Sequence, residues 1–478
     1  MRITGLKSLA LCVSLAICPV GVKSTSKEDM DLDFLPLENR EEDGSVNNNE
    51  EDIEGKERLN LKYTLDNTYQ VTSWKEQNDQ SFDLPAIESP SWSNLTRLGL
   101  RSEFPTNDWV TFKNAILINT YSRQNEGWIT DEDLRFDIKE AYLAWQKSPT
   151  VFFDLGRVNV KSGVASGFNP TDYFKVGTVL DQNTEDVSQL RDARLGALVI
   201  KSQKLWDGGA LTLVASPKIS DKASRWYTDK NITGLNLQKS NDRSRAILKY
   251  TFEVSEGVKP EIIYYNESGA HNIGLNISQA FNKKWLGYVE WNLGKRRNLI
   301  DDALLDARES NQLDPAIAQV FSDQGESYQQ QLALGASYTT ASNITTQFEY
   351  HYNQAGLSEE DVQRWFDLTS SAENKPIVAG QFLSLRGLAK ARGEPLGKHR
   401  LFIRSSWVDA GLDDLDIIGL FNVDINDKSH LIQLEAAYEI SRNAKLSFRL
   451  VQFRGDKKSD FGSFLQDQIG TLQVTWVF

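Results

Sequence analysis

The sequence predicts an all-β fold: a single transmembrane antiparallel β-barrel of about eighteen strands, with long extracellular loops gathered at one end. Three observations predict it. Segments of about ten residues alternate apolar and polar side chains, a length that crosses a bilayer as a tilted strand. Long and short connections alternate along the chain, as they do when tight turns occupy one end of a barrel and loops the other. The sequence closes on "TLQVTWVF", where Leu472, Val474, Trp476 and Phe478 take every second position. The last strand is therefore expected to pair with the first and close the wall.

Composition narrows the alternatives. The 478 residues carry a net charge of −13 and are only 40% hydrophobic, which excludes a bundle of transmembrane helices. Residues 1–24, "MRITGLKSLALCVSLAICPVGVKS", read as a signal peptide: Arg2 and Lys7 precede a short apolar run, and Val22-Lys23-Ser24 suits cleavage. Both cysteines, Cys12 and Cys18, lie there, so no thiol chemistry is expected of the mature chain. Residues 25–58 are expected to form a disordered acidic periplasmic segment; 26–58 alone hold thirteen acidic and four basic residues, which is −9 of the −13. Within it, "DLDFLPL" is a candidate docking motif for a periplasmic partner, against the plainer reading of a solvated leader.

The barrel is expected over 59–478. "RLGLRSEF" sets Leu98 and Leu100 against Arg97, Gly99, Arg101 and Glu103; "WVTFKNAILI" puts Val110, Phe112, Ile116 and Ile118 on one side. "NITTQFEYHY" and "AKLSFRLVQF" alternate in the same way. Eighteen such segments begin near 59, 94, 109, 134, 150, 193, 207, 243, 258, 270, 284, 326, 343, 398, 414, 428, 444 and 466. Short joints such as "FPTND", "KSPT", "FNKK" and "SRNA" alternate with long ones at 161–192, 218–242, 295–325 and 355–397. An even count puts both termini on the periplasmic side of an outer membrane. Trp476 and Phe478 then face lipid at that interface and resemble the terminal aromatic signal that barrel-assembly machinery reads.

Catalysis finds little support. The four histidines, His271, His351, His399 and His430, fall on separate segments and are expected in the lumen or loops. Neither a Gly-x-Ser-x-Gly elbow nor a His-Glu-x-x-His pair occurs. "DQNTEDVSQLRD" and "DAGLDDLD" lack EF-hand spacing and read as solvated loop acids. No enzyme activity, metal, cofactor or nucleic-acid partner is expected; the expected partners are outer-membrane lipid and lipopolysaccharide, the assembly machinery and a carbohydrate solute.

A barrel of this size encloses water, so function should lie in what lines the lumen. Opposite the lipid-facing residues fall Arg97, Arg101, Arg245, Lys249, Arg404 and Arg449, together with Glu103, Glu290, Glu349 and Glu435. One stretch is unusually basic: 375–404 holds Lys375, Arg386, Lys390, Arg392, Lys398, Arg400 and Arg404 against only Glu394. Just upstream, Ser358 and Asp361 form a capping-box start, with Val362, Trp365 and Phe366 at helical spacing. This long connection is expected to fold, either into the lumen to meet an anionic solute or outside to meet lipopolysaccharide phosphates.

A second loop stands out: "DLGRVNVKSGVASGFNPTDYFKVG", followed by "QLRDARLGALVI" opening the sixth strand. Asn169-Pro170 starts a turn, Thr171 and Asp172 can bond the backbone after it, and Tyr173 and Phe174 offer an apolar anchor. Over 138–200 these motifs resemble large Gram-negative barrels of the alginate-export porin type. The resemblance implies an arginine-lined constriction that passes an acidic exopolysaccharide outward, with Arg157, Arg191 and Arg194 at the matching arginines. The leading expectation is passive, selective export of an anionic polysaccharide or oligosaccharide. A general or small-anion uptake porin is the first alternative, and a surface adhesion or structural barrel the second.

Overall fold

A computed structural model of the protein describes residues 60–76, 90–124, 134–180, 184–221, 234–309, 313–321, 324–371 and 375–478. The expected signal peptide and acidic segment lie outside the described residues.

The first six strands are β1 (Asn60–Trp74), β2 (Trp92–Asn107), β3 (Val110–Arg123), β4 (Leu134–Ser148), β5 (Val151–Val158) and β6 (Ala197–Trp206). Next come β7 (Gly209–Ser216), β8 (Arg245–Phe252), β9 (Glu261–Glu267), β10 (Ala270–Ala280), β11 (Trp285–Arg296) and β12 (Ser327–Thr339). The last six are β13 (Ile344–Asn353), β14 (His399–Trp407), β15 (Leu415–Asp424), β16 (His430–Ser441), β17 (Ala444–Arg454) and β18 (Gln466–Val477). Each pairs antiparallel with its sequence neighbours, and β1 pairs with β18. Tyr63 and Phe478 exchange backbone hydrogen bonds of 3.2 and 2.9 Å, so the closed barrel leaves no free edge there.

The outer face is an apolar band. Leu98, Ile118, Leu155, Ile200, Leu248, Ile273, Leu334, Phe348, Leu434, Phe448 and Leu472 are all exposed, as the wall of a transmembrane barrel requires. Near the short-turn end the band carries Trp109, Trp145, Trp206, Phe281, Trp285, Trp476 and Phe478, an aromatic girdle. None of the described helices is long and apolar enough to cross a membrane. The eight joints after even strands span 2 to 8 residues. Those after odd strands reach 45 residues at 354–398, with short exceptions at 268–269 and 425–429.

Among the described residues, six helices lie in these longer joints: α1 (Val187–Asp192), α2 (Leu237–Ser240), α3 (Leu299–Glu309), α4 (Pro315–Val320), α5 (Glu359–Ser371) and α6 (Lys375–Ala391). The helix α1 takes up the "QLRD" of the stretch expected to open the sixth strand, which begins only at Ala197. A reciprocal capping box starts α5: Ser358 Oγ and the Asp361 carboxylate each serve the other's backbone N–H. Helices α3 to α6 share an apolar core of Leu299, Leu304, Ile317, Trp365, Phe366 and Phe382. Two separate connections are thereby welded into one helical insert at the long-loop end.

Three histidines depart from the lumen-or-loop expectation. His271, His399 and His430 share strand parity with exposed Ile273, Leu401 and Ile432, so they face outward. Tyr264 and Tyr350 hydroxyls sit 2.7 Å from Nδ1 of His271 and His399. An interfacial aromatic neighbour suits an imidazole as well as water does. His351 alone is buried inside.

Candidate functional site

The 38-residue connection 159–196, here the inner loop, leaves the wall at β5 and returns at β6. In an eighteen-strand ring the opposite wall is β13 to β16, and the inner loop reaches it. Glu349 on β13 accepts backbone N–H bonds from Ser166 (2.6 Å) and Gly167 (2.9 Å). Glu290 on β11 accepts those of Val164 and Ala165. Each carboxylate thus satisfies two buried donors that would otherwise lose water without a partner. Glu349 is itself held by the Tyr288 hydroxyl at 2.5 Å and His351 Nε2 at 2.7 Å. Further along, Arg404 of β14 meets Asp186 at 3.0 Å, and Gln433 of β16 accepts the Glu185 N–H at 2.9 Å.

The loop sequence suits this path. Gly163 takes φ +81°, and a Cβ there would lie 2.5 Å from a Glu290 oxygen; only glycine meets both demands. At the loop's far side the NPTDYF motif is buried. Tyr173 stacks on Tyr265 at 4.2 Å and donates to Asn292 Oδ1 at 2.8 Å, while Thr171 Oγ1 donates to Asn276 Oδ1 at 2.8 Å. Phe174 lies beneath the Arg245 guanidinium at 4.3 Å. With inward-facing Val199, Val214, Ile247 and Ile263, these two rings fill part of the lumen with a dry core. Asn169 is buried beside Pro170, and Asp172 binds Arg194 at 2.9 Å.

The cations predicted to line a solute path divide by environment. Arg157, Arg191, Arg194, Arg245, Arg386 and Arg449 are buried and bonded to protein. Arg157 donates to Leu235 O and to Ser240 Oγ, and Arg245 to Ser240 O, tying down the 217–244 connection. Arg191 donates to Ser162 O and Gly163 O within the inner loop. Arg449 bridges Glu435 (2.8 Å) and Gln189 of α1 (3.2 Å). Arg386 donates to Asp460 O at 2.7 Å and to Ser463 Oγ, sandwiched between the Phe382 and Phe464 rings. Arg392 meets Asp302 of α3 at 2.5 Å. Wetter positions belong to Lys390, 3.1 Å from Glu185, Lys249, 3.2 Å from Glu261, and Arg97, 2.9 Å from Asn119 Oδ1. Arg101 is exposed on the inner face, directly across from Lys62.

The inner loop and the 375–404 stretch, noted separately in the sequence, meet. Between them lies a cavity of about 160 Å³. Its cationic groups are Lys175, Arg191 and Arg194 from the loop and Arg386, Lys390 and Arg400 from the stretch. Four carboxylates face them: Asp172, Glu185, Glu394 and Asp460. Six against four leaves a positive excess between the inner loop and the 375–404 stretch. Burial pulls the Lys175 ammonium down to about 8 against the opposing pull of Glu394 and Asp172. Burial alone would raise the Glu394 carboxyl, but Arg296, Arg392 and Lys175 outweigh it and hold it at about 2. Arg386 is lowered by burial to about 10 and so stays charged near neutrality. Sequence reasoning placed Glu290 and Glu349 in the lumen without a task, read Asp186 within "DQNTEDVSQLRD" as a solvated loop acid although it is fully buried against Arg404, and missed Gln433 and Asp460. An amide at an inward strand position was the available signal for Gln433; Asp186 and Asp460 lie in connections, where strand alternation gives none.

No protein-family model and no curated protein matches the chain. Several solved structures are distantly similar to the chain. OccK11 (OpdR) of Pseudomonas aeruginosa is 9% identical, covers 88% of this chain and 96% of its own, and has a TM-score of 0.49. OccK8 (OprE) of the same organism is 12% identical over 88% and 98%, again at 0.49. OccAB4 of Acinetobacter baumannii is 10% identical over 88% and 98%, at 0.48. At these levels the likeness carries no argument; the architecture rests on the strand pairing itself.

Proposed function

We propose that the protein is an outer-membrane channel for passive passage of small anionic solutes. The observation that carries this reading is the cavity between the inner loop and α6, with six cationic groups facing four carboxylates. Such an excess raises the local concentration of anions and offsets part of their dehydration. The direction of flow then follows the solute gradient.

The expected acidic polysaccharide is less well supported. A polymer needs an unbroken groove of its own width, whereas two packed inserts narrow this lumen and one wall sector is filled by the Tyr173 and Phe174 core. Of the three arginines matched to the alginate-export type, Arg157 lies outside the cavity, fastened to Leu235 and Ser240, and only Arg191 and Arg194 reach it.

Reversal potentials across a salt gradient in planar bilayers test the reading. The parent channel is expected to prefer anions. Lys390→Gln should lower that preference roughly twofold to fivefold, the range of about 0.4–1 kcal/mol of lost Coulomb attraction. Lys390 is the appropriate target because its side chain is the most exposed of the three, whereas Arg386 and Arg392 are set more deeply between α6 and its neighbours. A cation-selective or unselective parent rejects the proposal. Block by polymeric but not monomeric uronates would restore the polysaccharide.

A further inference from the structure

A second cavity, of about 410 Å³, lies at the long-loop mouth between the helical insert and the ends of β12 and β13. We propose that it is a binding site for a small neutral polyhydroxylated solute, a mono- or disaccharide. It is separate from the cationic cavity, and the two lining sets share no residue.

The chemistry of the lining selects the ligand class. Amides from Asn298, Gln329 and Gln354 stand beside the carboxylates of Asp301 and Asp361 and the ammonium of Lys398. An anion entering would meet the two carboxylates, and a cation would meet Lys398 and Arg364. A hydroxyl both donates and accepts, so a polyol can satisfy amide, carboxylate and ammonium together without a net charge to bury. Phe321, buried in the core of the helical insert, backs the cavity on one side.

One atom points to a missing partner. Gln329 is only 8% exposed, and its Nε2 donates to Ser327 Oγ at 2.6 Å. Its Oε1 is buried and finds no hydrogen-bond partner among the described residues. An unmet buried carbonyl of this kind is costly, and a small rotation of the Gln329 amide toward the cavity would let a ligand hydroxyl meet it. The neighbouring acids are already fixed in place. Asp301 accepts from Asn298 Nδ2 at 3.0 Å and from the Gln324 N–H at 3.2 Å, and Asp361 is oriented by the capping box. The wall of the site is therefore preorganised before a solute arrives.

The test adds glucose or maltose to the long-loop side of the full-length channel in a planar bilayer and analyses current noise. A saturable, millimolar effect is expected in the parent. Gln329→Met and Gln354→Met should each weaken it roughly tenfold, while reversal potentials stay at the parent value. Heat-modifiable mobility confirms that each variant is folded, and if one fails to fold, the other decides. Absence of a saturable effect of either sugar on the parent overturns the site, as do equal binding constants in the parent and a folded variant. Because the readout is a neutral sugar, failure here leaves the anion-selectivity test standing.

Discussion

Lys175 stands at the junction of the inner loop with the stretch after α6. Its ammonium donates to Asn169 O at 2.6 Å and to Gly393 O at 3.3 Å, and it lies 4.7 Å over the Phe168 ring. Burial lowers its pKa from 10.5 to about 8, with Glu394, Asp172 and Glu290 opposing the shift and Arg194 adding to it. The sign follows directly: below about 8 the group is a cation of the narrow region, and above it the cavity loses one positive charge. Glu394, held at about 2, and Arg386, at about 10, do not titrate in that window. Anion preference should therefore fall as pH rises from about 7 to about 9. Reversal potentials measured across that range check this, and Lys175→Met should flatten the profile at its high-pH value. A parent profile without slope would dissociate Lys175 from selectivity.

At the scale of elements, the inner loop depends on carboxylates donated by the opposite wall. Glu349→Gln keeps the shape but turns an amide toward the Ser166 and Gly167 N–H groups, which need an acceptor. Losing that anchorage should cost about 1–3 kcal/mol locally. A cysteine placed at Ser166 should then react with a small thiol reagent at least tenfold faster; equal rates in both backgrounds would remove Glu349 from the anchoring role. Much of this level was legible beforehand. All eighteen strands begin within four residues of their predicted starts, because period-two alternation is forced wherever one face meets lipid and the other water. The Ser358–Asp361 box announced α5 for an equally local reason. Helix α6 does not stand out in the sequence although Val378, Phe382 and Leu385 keep helical spacing. Its basic residues mask the apolar pattern, and Pro376, Gly380 and Gly387 depress apparent helix propensity. Which arginines fasten loops and which meet solvent was not legible at all. Arg157 and Arg101 look alike in sequence, and only the path of distant connections buries the first and leaves the second exposed. The outward histidines were hidden for a related reason, since strand ends sit at an interface that tolerates both polar and aromatic groups.

For the molecule as a whole, closure is the feature on which every other depends, since an unclosed wall would leave β1 and β18 with unpaired backbone groups in hydrocarbon. The closing seam runs from Trp74–Gln466 to Thr64–Val477, and Phe478 extends it by its two backbone bonds to Tyr63. Phe478 is 63% exposed on the outer face, beside Trp476 at 37%. Deleting Phe478 removes two seam bonds and an aromatic from the girdle; Phe478→Asp keeps the backbone but sets a charge at the interface, where the direct cost is only about 0–1 kcal/mol. If the seam bonds dominate, the deletion should lower the yield of heat-modifiable barrel far more than the aspartate does. If an aromatic signal is read during assembly, both should fall together and Phe478→Tyr should restore the yield. In either case channels that do assemble should keep the parent's conductance, because Phe478 faces away from the lumen. Parent-level yields of folded protein from both the deletion and the aspartate variant would show that neither the last seam bonds nor the terminal ring governs assembly.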